Sequence, residues 1–433
     1  VVALDDILHR GFDEFRALVN PPVALRAELT GEPARVVRVH EGRLVLADGQ
    51  EIEDLHGTQA FGHRHPAIAS AVRAFLDSDA CNWFPARVSP FAGRLARCLH
   101  ERTGYDSAYF AHSGTEGVEA ALKLARAVTR RPRILGLDRA YHGCTFGSVS
   151  LMEAGVFRDP FAPLLPGVET LPFGDVDALA RALSPGDVAA VVVEPIQLEG
   201  GVRPLPPAYV DALCELSARH GALLVADEVQ TGMGRTGHLV ASETWPRRPD
   251  AIVLGKALAG GLLPCSAMLT RRALWDRAYG ADFESAEAHN NTFSGHALAS
   301  VAAIAALELL DDALLARARR AGDAFRGELA GALAGLPLFR EVRGAGLIAG
   351  VELVPSDHPW LSFEHFGLPE HRGRPTVGLL LCHRLYKRGF FTFVCGHDWS
   401  TVRLQPRLTI EDARLAELVR AVREEVAYLC ELV

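Results

Sequence analysis

Two apolar runs, at 222–226 and 251–254, read as buried strands, and each releases a chemically loaded residue as it ends. The first delivers Asp227 and the second, just past its end, Lys256. In open α/β sheets, reactive groups gather beyond the carboxyl ends of the strands. An acid and an amine brought to that edge by separate strands constrain the chain to an α/β sheet with a site along one edge.

The surrounding pattern agrees. From about residue 66 the chain alternates between helical and strand character, with helices expected at 66–77, 90–101, 116–129 and 207–220 and apolar runs at 108–111, 133–137 and 188–193. Such alternation implies a mainly parallel central sheet with helices on both faces. A chain of 433 residues exceeds one ordinary core, so a second, smaller domain is expected. Residues 36–55 alternate and carry turn signals at Glu41-Gly42 and Asp48-Gly49, which reads as a small antiparallel meander. Past Gly295 an Ala/Leu-rich helix pair runs to about residue 333. A strand over 341–353, a helix over 377–388, a strand over 401–404 and a helix over 410–432 then suggest an α+β unit. The expected division is therefore a large domain over 61–320 and a small one built from 1–60 and 321–433. A polar loop rich in Pro and aromatics spans 355–375, and loops of that length are often functional.

Composition narrows the function classes. A net charge of −8 with dispersed basic residues argues against a nucleic-acid surface, which needs clustered Lys and Arg. The eight cysteines form no C-x-x-C pair, so neither a zinc site nor a disulfide framework is expected, and a reducing cytoplasm is the simplest location. No apolar run approaches the roughly 18 residues that would span a bilayer. The N-terminus shows no signal-peptide pattern.

The residues suit pyridoxal 5'-phosphate (PLP). Lys256, in GKALAGG, is flanked by small residues that allow a bulky group close to the backbone, and it is the candidate Schiff-base lysine. Taken alone, it reads equally well as a surface lysine capping the strand. Asp227 would face a pyridinium N–H and keep the ring cationic, although Asp is also a common cap. Gln230, three residues on, could reach the ring's phenolic oxygen. At 112–127 (HSGTEGVEAALKLARA) the chain passes from strand to helix, and Ser113, Gly114 and Thr115 would place N–H groups and hydroxyls at a helix N-terminus suited to phosphate. The same Ser113-x-x-Glu116 spacing is also a plain capping box, and Gly114 tips the reading toward an anion. Tyr141 is placed to stack on a flat ring, with His142 in support. The GMGRTG run at 232–237 matches G-x-G-x-x-G, but DEVQT separates it from its strand and no amphipathic helix follows, so it is not a dinucleotide turn.

Together these segments resemble the class III, fold-type I PLP-dependent aminotransferases, most closely the putrescine- and ornithine-type ω-aminotransferases. The likeness covers nearly the whole chain, from GHRHPAIASAV through SGTEGVEAALKLA, VVEPIQLEGG, ADEVQTGMGRTG, LGKALAGG and NNTFSGHALAS to VRLQPRLTI. It implies Lys256 as Schiff-base lysine, Asp227 as pyridinium partner, Ser113, Gly114 and Thr115 as phosphate cup, and Tyr141 as stacking aromatic. It likewise implies Gln230 as phenolic-oxygen contact and Glu194 as the acid near the cofactor. Thr292 resembles the threonine that reaches the phosphate of the other subunit, which implies a homodimer with shared sites. Glu199 and Arg403 match a switch in which the arginine grips a substrate carboxylate or pairs with the glutamate; a static buried ion pair is the alternative. Trp83 and Phe84, with Asn82, fall where relatives line the substrate pocket.

The implied reaction is ping-pong amino transfer from an amine or amino acid to a keto acid. Another PLP chemistry on the same scaffold (racemase, aminomutase, decarboxylase or lyase) and a cofactor-free binding homologue are the competing expectations. Departures from the family pattern bear on substrate choice. Cys144 stands where many relatives carry Arg or Lys, Leu198 replaces a frequent glycine and would narrow the wall beside Glu199, and GHALAS at 295–300 replaces the usual GNPLA-type run.

Overall fold

The structure, a computed structural model, describes residues 4–30, 35–85, 87–356, 358–365 and 371–432. The chain divides into two compact units, Val1–His65 with Arg320–Val433, and Pro66–Arg319.

The Pro66–Arg319 unit is built on a seven-stranded sheet. Its strand order is Ser107–Ala111, Ser266–Thr270, Ala251–Leu254, Leu223–Asp227, Val188–Val193, Arg133–Leu137 and Val168–Leu171. All neighbours are parallel except Ser266–Thr270, which runs antiparallel to both strands beside it. Side-chain alternation divides the central strands between two cores. Ala190, Val192, Leu223 and Val225 pack on one face with Val118, Leu122 and Ala125 of the helix Gly114–Thr129. Val191, Val193 and Leu224 pack on the other with Tyr209 and Leu213 of the helix Pro207–His220. A strand buried on both faces needs apolar residues at every position, which the run VAAVVV at Val188–Val193 supplies. The expected α/β architecture, a mainly parallel sheet covered on both faces, is the one observed.

In the other unit the meander Val36–His40, Arg43–Leu46 and Glu51–Asp54 is completed by Phe390–Phe391, which pairs in parallel with Glu51–Asp54. A second sheet orders Phe339–Ala345, Ile348–Leu353, Thr401–Leu404 and Phe393–Val394, all antiparallel. The single strand expected over 341–353 is thus a hairpin. Gly344 and Gly346 both adopt positive φ, which turns the chain so that Ala345 pairs with Ile348. Two N-terminal helices, Leu4–Leu18 and Pro21–Thr30, were not expected from the sequence. Of the long loop, residue 357 and residues 366–370 lie outside the described residues; a short 3₁₀ turn, Pro359–Leu361, falls within them. No helix among the described residues is long and apolar enough to cross a membrane.

Candidate active site

Register brings the chemistry to one edge of the sheet. Asp227 pairs with Val253, three residues before Lys256, and Ala226 pairs with Val193, so Glu194 leaves its strand level with Asp227. Ser113 follows Ala111, and Tyr141 lies four residues beyond Leu137. All five residues therefore sit at the carboxyl ends of parallel strands. Alternation turns Asp227 to the face of Leu223 and Val225, on which the helix Gly114–Thr129 packs.

Lys256 opens a short 3₁₀ turn, Lys256–Ala259, with φ of 43°. The left-handed region is costly for a side chain with a Cβ, by about 1–3 kcal/mol, and persists where the surroundings demand it. Buried Ala257, Leu258 and Ala259 lock the turn, while Lys256 itself stays partly exposed.

Asp227 is buried, and both carboxylate oxygens are engaged. Oδ2 accepts from His142 Nδ1 at 2.8 Å, and Oδ1 accepts the Val229 N–H at 3.0 Å. Burial opposes charge on His142, but the hydrogen bond and the attraction of Asp227, aided by Glu194, outweigh it and raise its pKa above the ordinary histidine value. The other ring nitrogen, Nε2, is buried with no partner. Glu194 is buried as well, and its Oε1 accepts the Tyr141 N–H at 2.9 Å. Burial, against the pull of His142, pushes the Glu194 acid up to about 7, and Asp227 and Glu199 add repulsion. Tyr141 is thus fixed at its backbone. Its hydroxyl lies 3.2 Å from Cys144 Sγ, and its ring meets Phe157 edge-on at 6.5 Å. Gln230 keeps a buried amide nitrogen without a partner.

The helix start at Ser113 is held by local side-chain hydrogen bonds. Glu116 Oε2 accepts from the Ser113 N–H at 2.9 Å, the Ser113 hydroxyl at 2.7 Å and the His112 N–H at 3.1 Å, so a capping contact exists. The Thr115 hydroxyl is engaged by Thr145 at 2.7 Å and Ser148 at 3.0 Å. What the turn offers an anion is its first N–H groups, which have no carbonyl of their own helix to bond. Gly114 has a structural reason of its own: a Cβ there would lie 2.7 Å from Val229 Cγ2, in the turn that follows Asp227.

The structure joins Trp83 to Thr292, since the indole N–H donates to the Thr292 carbonyl at 2.8 Å. Both side chains are exposed. The loop carrying Thr292 is pinned to the sheet by Asn291 Nδ2, 3.0 Å from the Tyr109 hydroxyl, and by the Ser294 hydroxyl, 2.8 Å from the Phe110 carbonyl. Asn82 caps the helix Ala297–Leu309 through the Leu298 N–H and meets His296 Nε2 at 2.8 Å, which accounts for the histidine in GHALAS. Phe84 packs on Phe91, and Phe91 on Phe75. Leu198, next to Glu199, is fully buried. Glu199 is half-buried in the Pro66–Arg319 unit. Arg403 belongs to the other unit, where it is buried with Nη2 2.9 Å from His56 Nε2.

Two supporting residues escaped the sequence reading. Glu119 accepts from Thr145 Oγ1 at 2.5 Å and the Gly147 N–H at 2.8 Å. It lies one turn after Thr115 on the same helix face, but its partners sit 26 and 28 positions further along the chain, which helical spacing does not reveal. His56 follows Asp54 by two residues, the spacing of a side-chain-capped turn.

The Aminotransferase class-III family matches residues 28–426. Aminotransferase PigE of Serratia sp. (strain ATCC 39006) is 32% identical over 97% of this chain. The chain spans about half (54%) of that relative's length. Among solved structures, the ornithine aminotransferase of Toxoplasma gondii ME49 is similar with a TM-score of 0.84 and 27% identity, covering 100% of this chain and 97% of that one. An amine transaminase from an uncultivated Pseudomonas species, in its PLP-bound form, gives 0.80 and 27%, covering 91% and 94%. A family match over residues 28–426, with a relative 32% identical along nearly the whole sequence, makes this chain a member of the class III aminotransferase family.

Proposed function

We propose that the chain transfers an amino group from an amine, an ω-amino acid or an α-amino acid to a keto acid in two half-reactions, using PLP at the carboxyl edge of its parallel sheet. PLP supplies an electrophilic carbonyl and an electron sink. The residues present fit it. An ionised carboxylate has about four lone-pair sites, so Asp227, already holding His142 and the Val229 N–H, retains room for a protonated ring nitrogen. The unpartnered Gln230 amide nitrogen suits a ring oxygen. The first turn of Gly114–Thr129 suits a phosphate, and Tyr141 suits the ring face.

Lys256 would carry the cofactor and, once displaced by the substrate amine, would move the proton at the substrate carbon, first as base and then as acid. His142 would hold Asp227 in place. Arg403 would take a substrate carboxylate and Glu199 would answer it when none is present, as the family resemblance implies. Thr292, exposed on a pinned loop, would serve the phosphate of a second copy in a homodimer. The solved ornithine aminotransferase and amine transaminase support an amine donor. Free cysteines at all eight positions suit a reducing compartment.

The observation that carries this reading is the buried His142–Asp227 pair set level with the Lys256 exit. Borohydride reduction of the PLP-loaded protein followed by peptide mapping tests it, with the adduct expected on Lys256. A panel of amines should then bleach the visible band with one carbonyl product per site. An adduct elsewhere refutes the assignment of Lys256. Scrambled stereochemistry without keto product would favour a racemase.

A further inference from the structure

Arg403 is fixed along its backbone before its side chain is considered. It occupies Thr401–Leu404, an inner strand, pairing with Gly350 on one side and Phe393 on the other. The Thr392 hydroxyl donates to its carbonyl. A long flexible side chain still has to be aimed. Its Nη2 lies 2.9 Å from His56 Nε2. Arginine has only N–H donors, so Nε2 must accept, which requires a neutral imidazole carrying its hydrogen on Nδ1.

His56 is itself held on three sides. Its N–H donates to Asp54 Oδ1 at 2.8 Å, closing a side-chain turn. Its ring stacks on Phe391, with centroids 6.2 Å apart and planes 26° from parallel. Its backbone bridges to Gln405, two residues past Arg403. Asp54 is anchored in turn by His63 Nε2 at 2.8 Å. A rigid line of contacts therefore runs from His63 through Asp54 and His56 to the guanidinium.

We propose that His56 is the positioning residue that aims Arg403, and that it thereby sets the affinity for substrates presenting a carboxylate to that arginine. The proposal rests on the reading of Arg403 as a carboxylate contact. Recognition of a carboxylate by arginine depends on the plane of its rigid fork. An imidazole acceptor at Nη2 orients one edge of that fork and is itself uncharged.

The test uses PLP-loaded enzyme with 2-oxoglutarate or pyruvate as acceptor and a monoamine without a carboxylate as donor. His56→Leu should raise the keto-acid KM by about tenfold, the usual size of one lost charge-assisted hydrogen bond, and far more than the amine KM. His56→Gln, which keeps an acceptor oxygen, should recover most of the loss. His56→Phe keeps the stack on Phe391 without an acceptor, and it carries the same test if His56→Leu does not fold. Equal shifts in both KM values, or none, overturn the proposal. Arg403→Gln separates the two layers. If it leaves the keto-acid KM unchanged, the reading of Arg403 fails; if it raises that KM while His56→Leu and His56→Phe do not, only the role of His56 fails.

Discussion

His142 Nδ1 donates to Asp227 Oδ2 over 2.8 Å, with both side chains shielded from water. Breaking such a pair by deleting one partner costs about 3–5 kcal/mol. Asp227→Leu should therefore lower unfolding stability by that order. Asp227→Asn keeps an acceptor for the His142 N–H and should cost clearly less. Both should lower turnover by at least about a hundredfold, in the range for a lost proton-positioning group. Denaturant melts and steady-state rates check the two halves. Equal stability losses would remove the hydrogen-bond account, and near-normal turnover in Asp227→Asn would remove the need for the charge.

Glu194 gives the fold a pH dependence with a definite sign. Burial, the largest cause, raises its acid from 4.5 to about 7. Between those values the folded chain binds more protons than the unfolded one, so stability falls as pH rises through the window. His142, also raised, acts in the same direction. At 1.36 kcal/mol per unit the Glu194 contribution is at most about 3 kcal/mol. Glu194→Gln keeps an acceptor for the Tyr141 N–H and does not titrate. Its stability relative to wild type should grow from pH 5 to pH 8 in the apo protein, followed by thermal melts. A difference that stays constant with pH would show that Glu194 does not titrate there.

Lys256 combines function with backbone strain. Lys256→Ala and Lys256→Gly should both abolish multiple turnover, because each lacks the amine. They should differ in stability, since at φ of 43° glycine is at ease and alanine is not. Lys256→Gly should be the more stable by about 1 kcal/mol. Equal melting curves would mean that the turn relaxes once the lysine is gone.

How far the sequence revealed this arrangement depends on the range of the interaction. Strand exits at Asp227 and Lys256 were legible because a buried strand announces itself in consecutive residues, and Val188–Val193 matched its expected bounds for the same reason. From the sequence, 341–353 reads as one strand because the apolar pattern continues through Gly344 and Gly346, whose positive φ turns the chain into the hairpin Phe339–Leu353. The Trp83–Thr292 and Asn82–His296 contacts join residues more than 200 positions apart. Periodicity tells which face of an element is buried, and says nothing of which polar atoms meet across the fold. Glu116 and Glu119 show the same limit at short range. Both lie on the helix Gly114–Thr129, yet one caps its own helix and the other serves Thr145 and Gly147.

Gly114 offers a test of how that helix start is coupled to the acid. A Cβ at this position would meet Val229 Cγ2 at 2.7 Å and Cγ1 at 2.8 Å, closer than real contacts allow. Val229 cannot retreat freely, because its N–H is bonded to Asp227 Oδ1 at 3.0 Å. Gly114→Ala should therefore destabilise by about 1–3 kcal/mol through overpacking, and it should also lower activity by disturbing the turn that holds Asp227. Val229→Ala removes both methyl groups that clash and should rescue part of the loss, giving a coupling of about 0.5–3 kcal/mol in a double-mutant cycle. The alternative is that glycine is needed only to let an anion approach the helix start. In that case Val229→Ala would rescue nothing, the two stability losses would simply add, and the defect of Gly114→Ala would appear in cofactor affinity alone.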